Sequence, residues 1–431
     1  MANFITQKQN LPLKGEIKIP ADKSISHRSL ILGALTRGKL KITNFLTSED
    51  CKRTLEIIKA VGGNIEFEGE NTLYLDATKC FQAPSCALYC GNSGTTMRLI
   101  SGLFASQNFE VELTGDPSLS KRPMKRIIEP LEAMGASISS NEFKAPLKIS
   151  GGNLKSIEYE SKIASAQVKS CLIIASLMSG NSLTYYEPTL SRDHTERMLE
   201  YFGAKIKTQK LSSKVKIEIT PTILEAKDIE VAGDISSAAF YMIMALIVPN
   251  SEILLKNVGI NPTRSGIVDV LKTMGANIQI LNQRLISNEE IGDILVKYTE
   301  NLKSTTISGD IIPRLIDELP ALALLLTQAN GESIVADASD LRNKESDRIK
   351  EIVNSLSQIG ANIEETKDGF KIVGKSELQG GTKLKTNLDH RLAMTYFIAG
   401  LISKNPIEIE DFDCHKTSLP QFLEIFESLR K

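Results

Sequence analysis

The sequence predicts an α/β protein of two domains, built from one strand–helix–strand–helix–strand–strand unit used six times, three units per domain. Three observations carry that prediction. The chain has 431 residues, more than one hydrophobic core ordinarily serves. Five segments repeat one pattern: a helix with an apolar stripe, a glycine, then a strand alternating apolar and polar residues. Six further helices are apolar on nearly every side and rich in Ala, Ser and Gly, which marks helices buried all round and packed closely.

In chain order, the first strand is "LKGEIKIP" (13–20). The first unit follows, with the buried helix "SHRSLILGAL" (26–35) and the amphipathic segment "LEIIKAVGGNIEF" (55–67). The second has the helix "GTTMRLISGLFA" (94–105), the strand "FEVELTG" (109–115) and "LEAMGASIS" (131–139). The third has "SAQVKSCLIIASLM" (165–178) and "LEYFGAKIK" (199–207). "IEVAGDISSAAF" (229–240) opens the fourth, whose helix runs over 234–248, with the strand "SEILLKNV" (251–258) and "LKTMGANIQ" (271–279). The fifth pairs "IDELPALALLLTQ" (316–328) with "LSQIGANIE" (356–364). In the sixth, "HRLAMTYFIAGLIS" (390–403) is followed by "LPQFLEIFESLRK", a truncated amphipathic helix.

The amphipathic helices close on Gly62, Gly135, Gly203, Gly275 and Gly360, the residue that best tolerates the left-handed C-cap. Their spacing, on the order of 70 residues, is longer than that of solenoid repeats. If the N-terminal strand pairs with the second half, the chain crosses between domains near Pro20 and near residue 230. This predicts one domain over 21–229 and a discontinuous one over 1–20 plus 230–431, with hinges at the crossings and the ligand site in the cleft between them.

Bulk composition excludes several classes. Lys+Arg total 51 against 52 Asp+Glu, a formal charge of −1, so no excess of basic charge draws the chain to nucleic acid or anionic membrane. The N-terminus lacks the apolar stretch of a secretory signal. The longest nearly apolar run, 235–248, is too short and too serine-bearing to span a bilayer. The cysteines (51, 80, 86, 90, 171, 414) form no C-x-x-C pair, and the four histidines form no H-x-x-x-H pair. The expectation is a cytoplasmic protein with no metal and no disulfide framework.

The six buried helices collect their polar residues at their N-terminal ends: "DKSISHR", "GNSGTTMR", "SKIASAQVK", "GDISS", "RLIDE" and "DHR". Capping explains the Ser, Asn and Asp residues among them. It does not explain Lys23, Arg28, Gln167, Lys169 and Arg391; the four cations among them are unfavourable in the first turns of an apolar helix without an anionic partner. If the helices run parallel within each domain, dipoles and cations converge on one small, multiply anionic ligand. Two loops add to this: "LSKRPMKRI" (119–127) places Arg122 just ahead of Pro123, and "NKESDRI" (343–349) places Lys344 and Arg348 on one helical face beside Glu345. Alone, either cluster reads first as a solvated helix face, and only the combination points to a site.

Taken in order, "DKSISHR", "GNSGTTMRL", "LSKRPM", "SAQVKS", "IIPRLIDELP", "NKESDR", "DHRLAM" and "CHKTSLPQF" resemble the enolpyruvyl transferases, specifically the branch whose acceptor is shikimate 3-phosphate. The resemblance spans essentially the whole chain. It implies two domains of three βαβαββ units in an inside-out, barrel-like α/β arrangement closing over the substrates. It implies transfer of the enolpyruvyl group of phosphoenolpyruvate to the 5-hydroxyl of shikimate 3-phosphate, by addition and elimination, without metal or organic cofactor. Such chemistry needs an acid, a base and anion clamps.

By position, the resemblance assigns Lys23, Ser24, Arg28, Ser165, Gln167, Asp317 and Lys344 to shikimate 3-phosphate. To phosphoenolpyruvate it assigns Lys23, Asn92, Gly94, Arg122, Gln167, Arg348, Arg391 and Lys416. Asp317 matches the carboxylate facing the 5-hydroxyl, Glu345 the residue implicated in proton transfer at C3, and Lys416 a C-terminal lysine that assists there. Lys23 lies between both substrates and shares in catalysis. His390 supports its neighbour Arg391. Gly94 leaves room for glyphosate, which competes with phosphoenolpyruvate.

Two departures weaken single assignments: Ala166 replaces a serine common in the family, and "LSRDHTERM" (190–198) is not the commonest form, which touches Ser191 and Arg192. The resemblance further implies a monomer that acts on small molecules. The rival acceptor is UDP-N-acetylglucosamine, whose transferases typically carry Cys, occasionally Asp, where "GDPSLSKRPM" has Asp116 and no cysteine. RNA 3′-phosphate cyclases depend on a nucleophilic histidine that has no counterpart here. A non-catalytic binder of phosphorylated metabolites gains nothing from Asp317 and Glu345 facing an anion.

Overall fold

Five of the six repeats fold as a four-stranded sheet in which a parallel pair is extended by an antiparallel hairpin; the sixth sheet has three strands. The computed structural model describes residues 3–77 and 81–430, so Cys80 lies outside the described residues. By contacts the chain forms two units. The first is Ala21–Ala232 with Leu285–Glu289; the second is Met1–Pro20, Gly233–Arg284 and Glu290–Lys431.

The first unit holds three such sheets. In the clearest, strands Leu88–Tyr89 and Glu110–Thr114 run parallel, and Lys144–Ser150 then pairs antiparallel with both Glu110–Thr114 and Ser137–Asn141. Helices α1 (Lys23–Gly33), α3 (Gly94–Phe104) and α5 (Ala166–Ser179) are the buried ones. Helices α2 (Glu49–Ala60), α4 (Lys125–Met134) and α6 (His194–Tyr201) are amphipathic. The small residues have a packing reason: a Cβ on Gly102 of α3 would lie 2.1 Å from the Cys171 carbonyl oxygen of α5.

The first repeat takes its leading strand from far along the chain, because Ile229–Glu230 pairs in parallel with Lys39–Thr43. Asn44 Nδ2 also donates to the Val231 carbonyl at 2.7 Å. Ile229 therefore closes the first repeat instead of opening the fourth, and the first unit runs on to Ala232.

In the second unit, strand Lys14–Lys18 pairs in parallel with Glu252–Gly259 and so supplies the fourth repeat's leading strand. Its helices are α7 (Ile235–Ile247), α8 (Gly266–Thr273), the one-turn α9 (Ile312–Leu315), α10 (Leu319–Leu326), α11 (Arg348–Gln358), α12 (His390–Ile402) and α13 (Phe422–Leu429). Pro320 sits in the first turn of α10, where its missing N–H costs nothing. The apolar run predicted over 316–328 is therefore cut shorter at its N-terminal end. Every residue of α7 is buried. Among the described residues the sixth repeat has no closing hairpin of its own; Phe4–Thr6 pairs antiparallel with Ile407–Glu410 in its place. The capping glycines 62, 135, 203, 275 and 360 all adopt positive φ, between 78° and 111°. Among the described residues no helix is long and apolar enough to cross a membrane.

Candidate active site

Within each unit the three buried helices begin beside one another, and side-chain contacts show it. In the first unit, His27 Nδ1 of α1 lies 2.7 Å from Thr54 Oγ1 of α2, which lies 2.7 Å from Thr96 Oγ1 of α3. Thr96 Oγ1 donates onward to Ser93 Oγ, the cap of α3. That direction makes Thr96 the acceptor for Thr54, and Thr54 the acceptor for a proton on His27 Nδ1. Arg98 of α3 donates to Gln167 Oε1 of α5 at 2.6 Å, and Gln167 Nε2 donates to Thr95 at 3.1 Å.

His27 is wholly buried, and burial, then the charges of Lys23 and Arg28, push its pKa from 6.5 down to about 3. The unfolded chain therefore binds a proton that the fold refuses, so stability is lost as pH falls from 6.5 towards 3. Between pH 7 and pH 5 the loss from this group is about 2 kcal/mol. Chemical denaturation of wild type and His27→Asn at both pH values checks this; equal pH dependence in the two proteins would count against it.

Around this frame stand the sequence-predicted ligand groups. Lys23 Nζ is 3.0 Å from Asp50. Arg28 is buried and donates through Nε to Thr195 Oγ1 (2.8 Å), through NH1 to the Ser24 carbonyl (3.1 Å) and through NH2 to Ser170 Oγ (3.0 Å). Burial, then the neighbouring Arg192 cation, lowers the Arg28 pKa to about 10. It stays charged at neutral pH, and an anion arriving here relieves both the desolvation and the repulsion. Arg122 donates to Asn92 Oδ1, and Asn92 Nδ2 donates to Asp116 at 2.7 Å. Gly94 faces both arginines of this wall: a Cβ there would stand 2.9 Å from Arg98 NH1 and 3.4 Å from Arg122 NH1. Ser165 caps α5 through a long 3.5 Å bond from the Val168 N–H. The Ser191 hydroxyl is engaged by Glu187 at 2.7 Å.

Lys169 departs from expectation. Its side chain has no exposed surface, and its ammonium lies 3.0 Å from Glu187 and 2.7 Å from Glu196. The anionic partner demanded by its place in an apolar helix is internal, so Lys169 is not a ligand group.

In the second unit the beginnings of α7, α10 and α12 meet through Arg264, Glu318 and Arg391. Arg264 donates to Ser236 at 2.7 Å and lies 3.7 Å from Glu318, while Arg391 lies 3.9 Å from Glu318. Beside them Asp317 is placed between two cations, 3.6 Å from Lys344 Nζ and 3.5 Å from Arg348 NH1; Arg391 NH1 donates to its carbonyl at 2.9 Å. Arg348 is almost wholly buried, 2.6 Å from Glu345 and 2.8 Å from Asp389. These carboxylates, Asp389 foremost, outweigh the burial of the guanidinium and raise its pKa above the usual arginine range.

Asp317, Lys344, Glu345, Arg348 and Arg391 are therefore in direct contact. His390 starts α12, buried, immediately before Arg391. Lys416 lies on the short turn Phe412–Thr417, 58% exposed and 2.6 Å from Asp413. Sequence reasoning overlooked Asp50, Arg98, Glu318 and Asp389 as partners. Arg98, Glu318 and Asp389 lie inside quoted motifs and Asp50 does not; Asp389 reads locally as nothing more than the N-cap of α12.

Chemically, the first unit offers cations and helix N-termini, the second a carboxylate held among cations. Cations at helix N-termini suit an anion. Among the described residues no group of three or more His, Cys, Asp or Glu is arranged to hold a metal ion.

The fold is that of the enolpyruvyl transferases. The solved structure of the enolpyruvyl transferase NikO from Streptomyces tendae matches with a TM-score of 0.80 at 16% identity, over 99% of this chain and 97% of that one. EPSP synthase from Acinetobacter baumannii matches with a TM-score of 0.87 at 39% identity, over 99% and 98%. A family model described as EPSP synthase (3-phosphoshikimate 1-carboxyvinyltransferase) covers residues 7–426. Curated relatives of that name include those of Petrotoga mobilis, 46% identical over 99% of both chains, and Bacillus pumilus, 47% identical over 98% of this chain and 99% of that one. The chain belongs to the EPSP synthase family.

Proposed function

We propose that this chain is a transferase that moves the enolpyruvyl group of phosphoenolpyruvate to the 5-hydroxyl of shikimate 3-phosphate, releasing phosphate, in the shikimate route to aromatic compounds. The observation that carries the reading is the position of the family motifs. Their charged residues fall at two sets of converged helix N-termini, one in each unit. The site is proposed to be completed by both units, in the cleft between them.

In this reading Ser24, Arg28, Ser165 and Lys344 hold shikimate 3-phosphate, with Ser191 and Arg192 beside them. Arg122, Arg348 and Arg391 clamp the phosphate and carboxylate of phosphoenolpyruvate, with Asn92 and Gly94 forming the wall. Planar guanidinium forks suit such bidentate contacts. Lys23 and Gln167 serve both substrates. Asp317 takes the proton of the 5-hydroxyl as its oxygen attacks C2, while a proton reaches C3 from Glu345 or Lys416. The tetrahedral intermediate then loses phosphate and the C3 proton. Glu345 is engaged by Arg348 at 2.6 Å, so its part in proton transfer requires Arg348 to turn towards the incoming anion. The reaction as proposed uses no metal or organic cofactor. The working form is proposed to be a cytoplasmic monomer.

Glyphosate is proposed to compete for the phosphoenolpyruvate site. Gly94→Ala crowds the tips of two flexible arginines, not backbone, so the fold is expected to survive. Affinity for glyphosate is expected to fall by about tenfold or more and the KM for phosphoenolpyruvate by less than that factor to worsen. Equal losses for both, measured by inhibition kinetics, would remove Gly94 from this role.

The functional test is phosphate release from phosphoenolpyruvate with shikimate 3-phosphate, run beside UDP-N-acetylglucosamine. Release with shikimate 3-phosphate alone supports the reading. Release with the nucleotide sugar transfers it to the rival acceptor, and saturable binding without release makes the chain a binder.

A further inference from the structure

Lys169 is a fully buried cation that the proposed chemistry does not use, and its contacts lead back to the site. Beyond Glu187 and Glu196, its ammonium donates to the Ser191 carbonyl at 3.2 Å. Burial alone would drive it neutral, but Glu196 and Glu187 outweigh that and hold its pKa above the ordinary lysine value. Glu187 in turn accepts from the Ser191 N–H at 3.0 Å and from its hydroxyl at 2.7 Å. One ammonium thus ties strand Leu183–Glu187, the loop at Ser191 and helix α6 to helix α5.

The next residue on each helix continues the connection. Ser170 follows Lys169, and Thr195 precedes Glu196. Their hydroxyls lie 2.6 Å apart, and together they receive Arg28 Nε (2.8 Å) and NH2 (3.0 Å). Arg192, in the same held segment, is close enough to depress the Arg28 pKa. The ion cluster and the hydroxyl clamp are therefore one residue out of step on the same two helices, and fixing one fixes the other.

We propose that Lys169, Glu187 and Glu196 form a buried positioning device. Through Thr195 and Ser170 it sets the angle of the Arg28 guanidinium and the place of Arg192, and so the affinity for the acceptor's phosphate but not the rate of bond making. The proposal rests on the reading of Arg28 as a phosphate ligand. A methionine of similar volume would fill the space of Lys169, but it has no directional donors to hold Ser191 and Glu187. An arginine ordered before its ligand arrives spares binding the entropy of ordering it then.

Steady-state kinetics on the full chain tests this, with shikimate 3-phosphate and phosphoenolpyruvate varied separately. The variants are Thr195→Val, Thr195→Ser, and Lys169→Met combined with Glu196→Gln, which removes both charges together. Thr195→Val is expected to raise the KM for shikimate 3-phosphate about tenfold, with kcat and the KM for phosphoenolpyruvate within about twofold of wild type. Thr195→Ser is expected to restore it, and the folded double variant to reproduce the Thr195→Val pattern. An unchanged KM for shikimate 3-phosphate in Thr195→Val overturns the proposal, as does an equal loss in kcat or for both substrates. If the double variant does not fold, the Thr195 pair decides alone. A wild type without turnover overturns the functional reading itself. Calorimetric titration with shikimate 3-phosphate then tests the device, and equal affinity in wild type and Thr195→Val overturns it.

Discussion

Asp317→Asn is expected to lower kcat by about a thousandfold while shikimate 3-phosphate still binds with near wild-type affinity. The carboxylate is placed between Lys344 and Arg348, and in the proposed reaction it takes the proton of the 5-hydroxyl. The amide has the same shape but cannot accept that proton. Both cations keep other partners: Lys344 lies 3.4 Å from Asp340, and Arg348 retains Glu345 and Asp389. The Asp317 carbonyl that receives Arg391 is untouched by the change. Pre-steady-state turnover and calorimetric binding separate the two quantities. A kcat within a few-fold of wild type would remove Asp317 as the base, and collapse of binding would recast it as a structural anchor.

Asp389→Ala is expected to cost the second unit about 3–5 kcal/mol of stability, because it takes a principal counterion from a buried cation. Asp389 is wholly buried and accepts from Arg348 Nε (2.8 Å) and NH2 (3.2 Å), from Ser346 Oγ (3.1 Å) and from the Arg391 N–H (3.0 Å). The last of these caps α12, and losing such a cap adds about 1 kcal/mol. Asp389→Asn keeps a capping oxygen and is expected to lose less. Chemical denaturation of wild type and both variants measures the difference. A loss below about 1 kcal/mol in the alanine variant would mean that Glu345 and Asp317 suffice to hold Arg348.

The two kinds of helix, their glycine caps and the clustering of polar residues at the N-termini of the buried ones were legible because each depends on residues a few positions apart. A buried helix must be apolar all round, and a left-handed cap selects glycine, whatever the rest of the chain does. The candidate ligand groups Lys23, Arg28 and Arg391 were legible as cations misplaced in the first turns of apolar helices, and Arg122 and Arg348 only through the loop motifs that carry them. Lys169 was misread on the same ground, because a buried cation needs a partner whether that partner is a ligand or an internal carboxylate. Glu187 and Glu196 lie 18 and 27 positions further along, and nothing local marks them.

By itself, then, the sequence determined the repeat, the burial of six helices and the places where charge collects, because hydrophobic periodicity, capping and the helix dipole act over a turn or two. Only the tertiary structure decided which strands complete which sheet: Ile229–Glu230 beside Lys39–Thr43, and Lys14–Lys18 beside Glu252–Gly259. It also decided which carboxylate each of these cations meets: Asp50 for Lys23, Asp389 for Arg348, Glu187 and Glu196 for Lys169. Strand pairing and ion pairing are satisfied by whatever group the fold brings within a few ångströms, and sequence separation does not enter that condition.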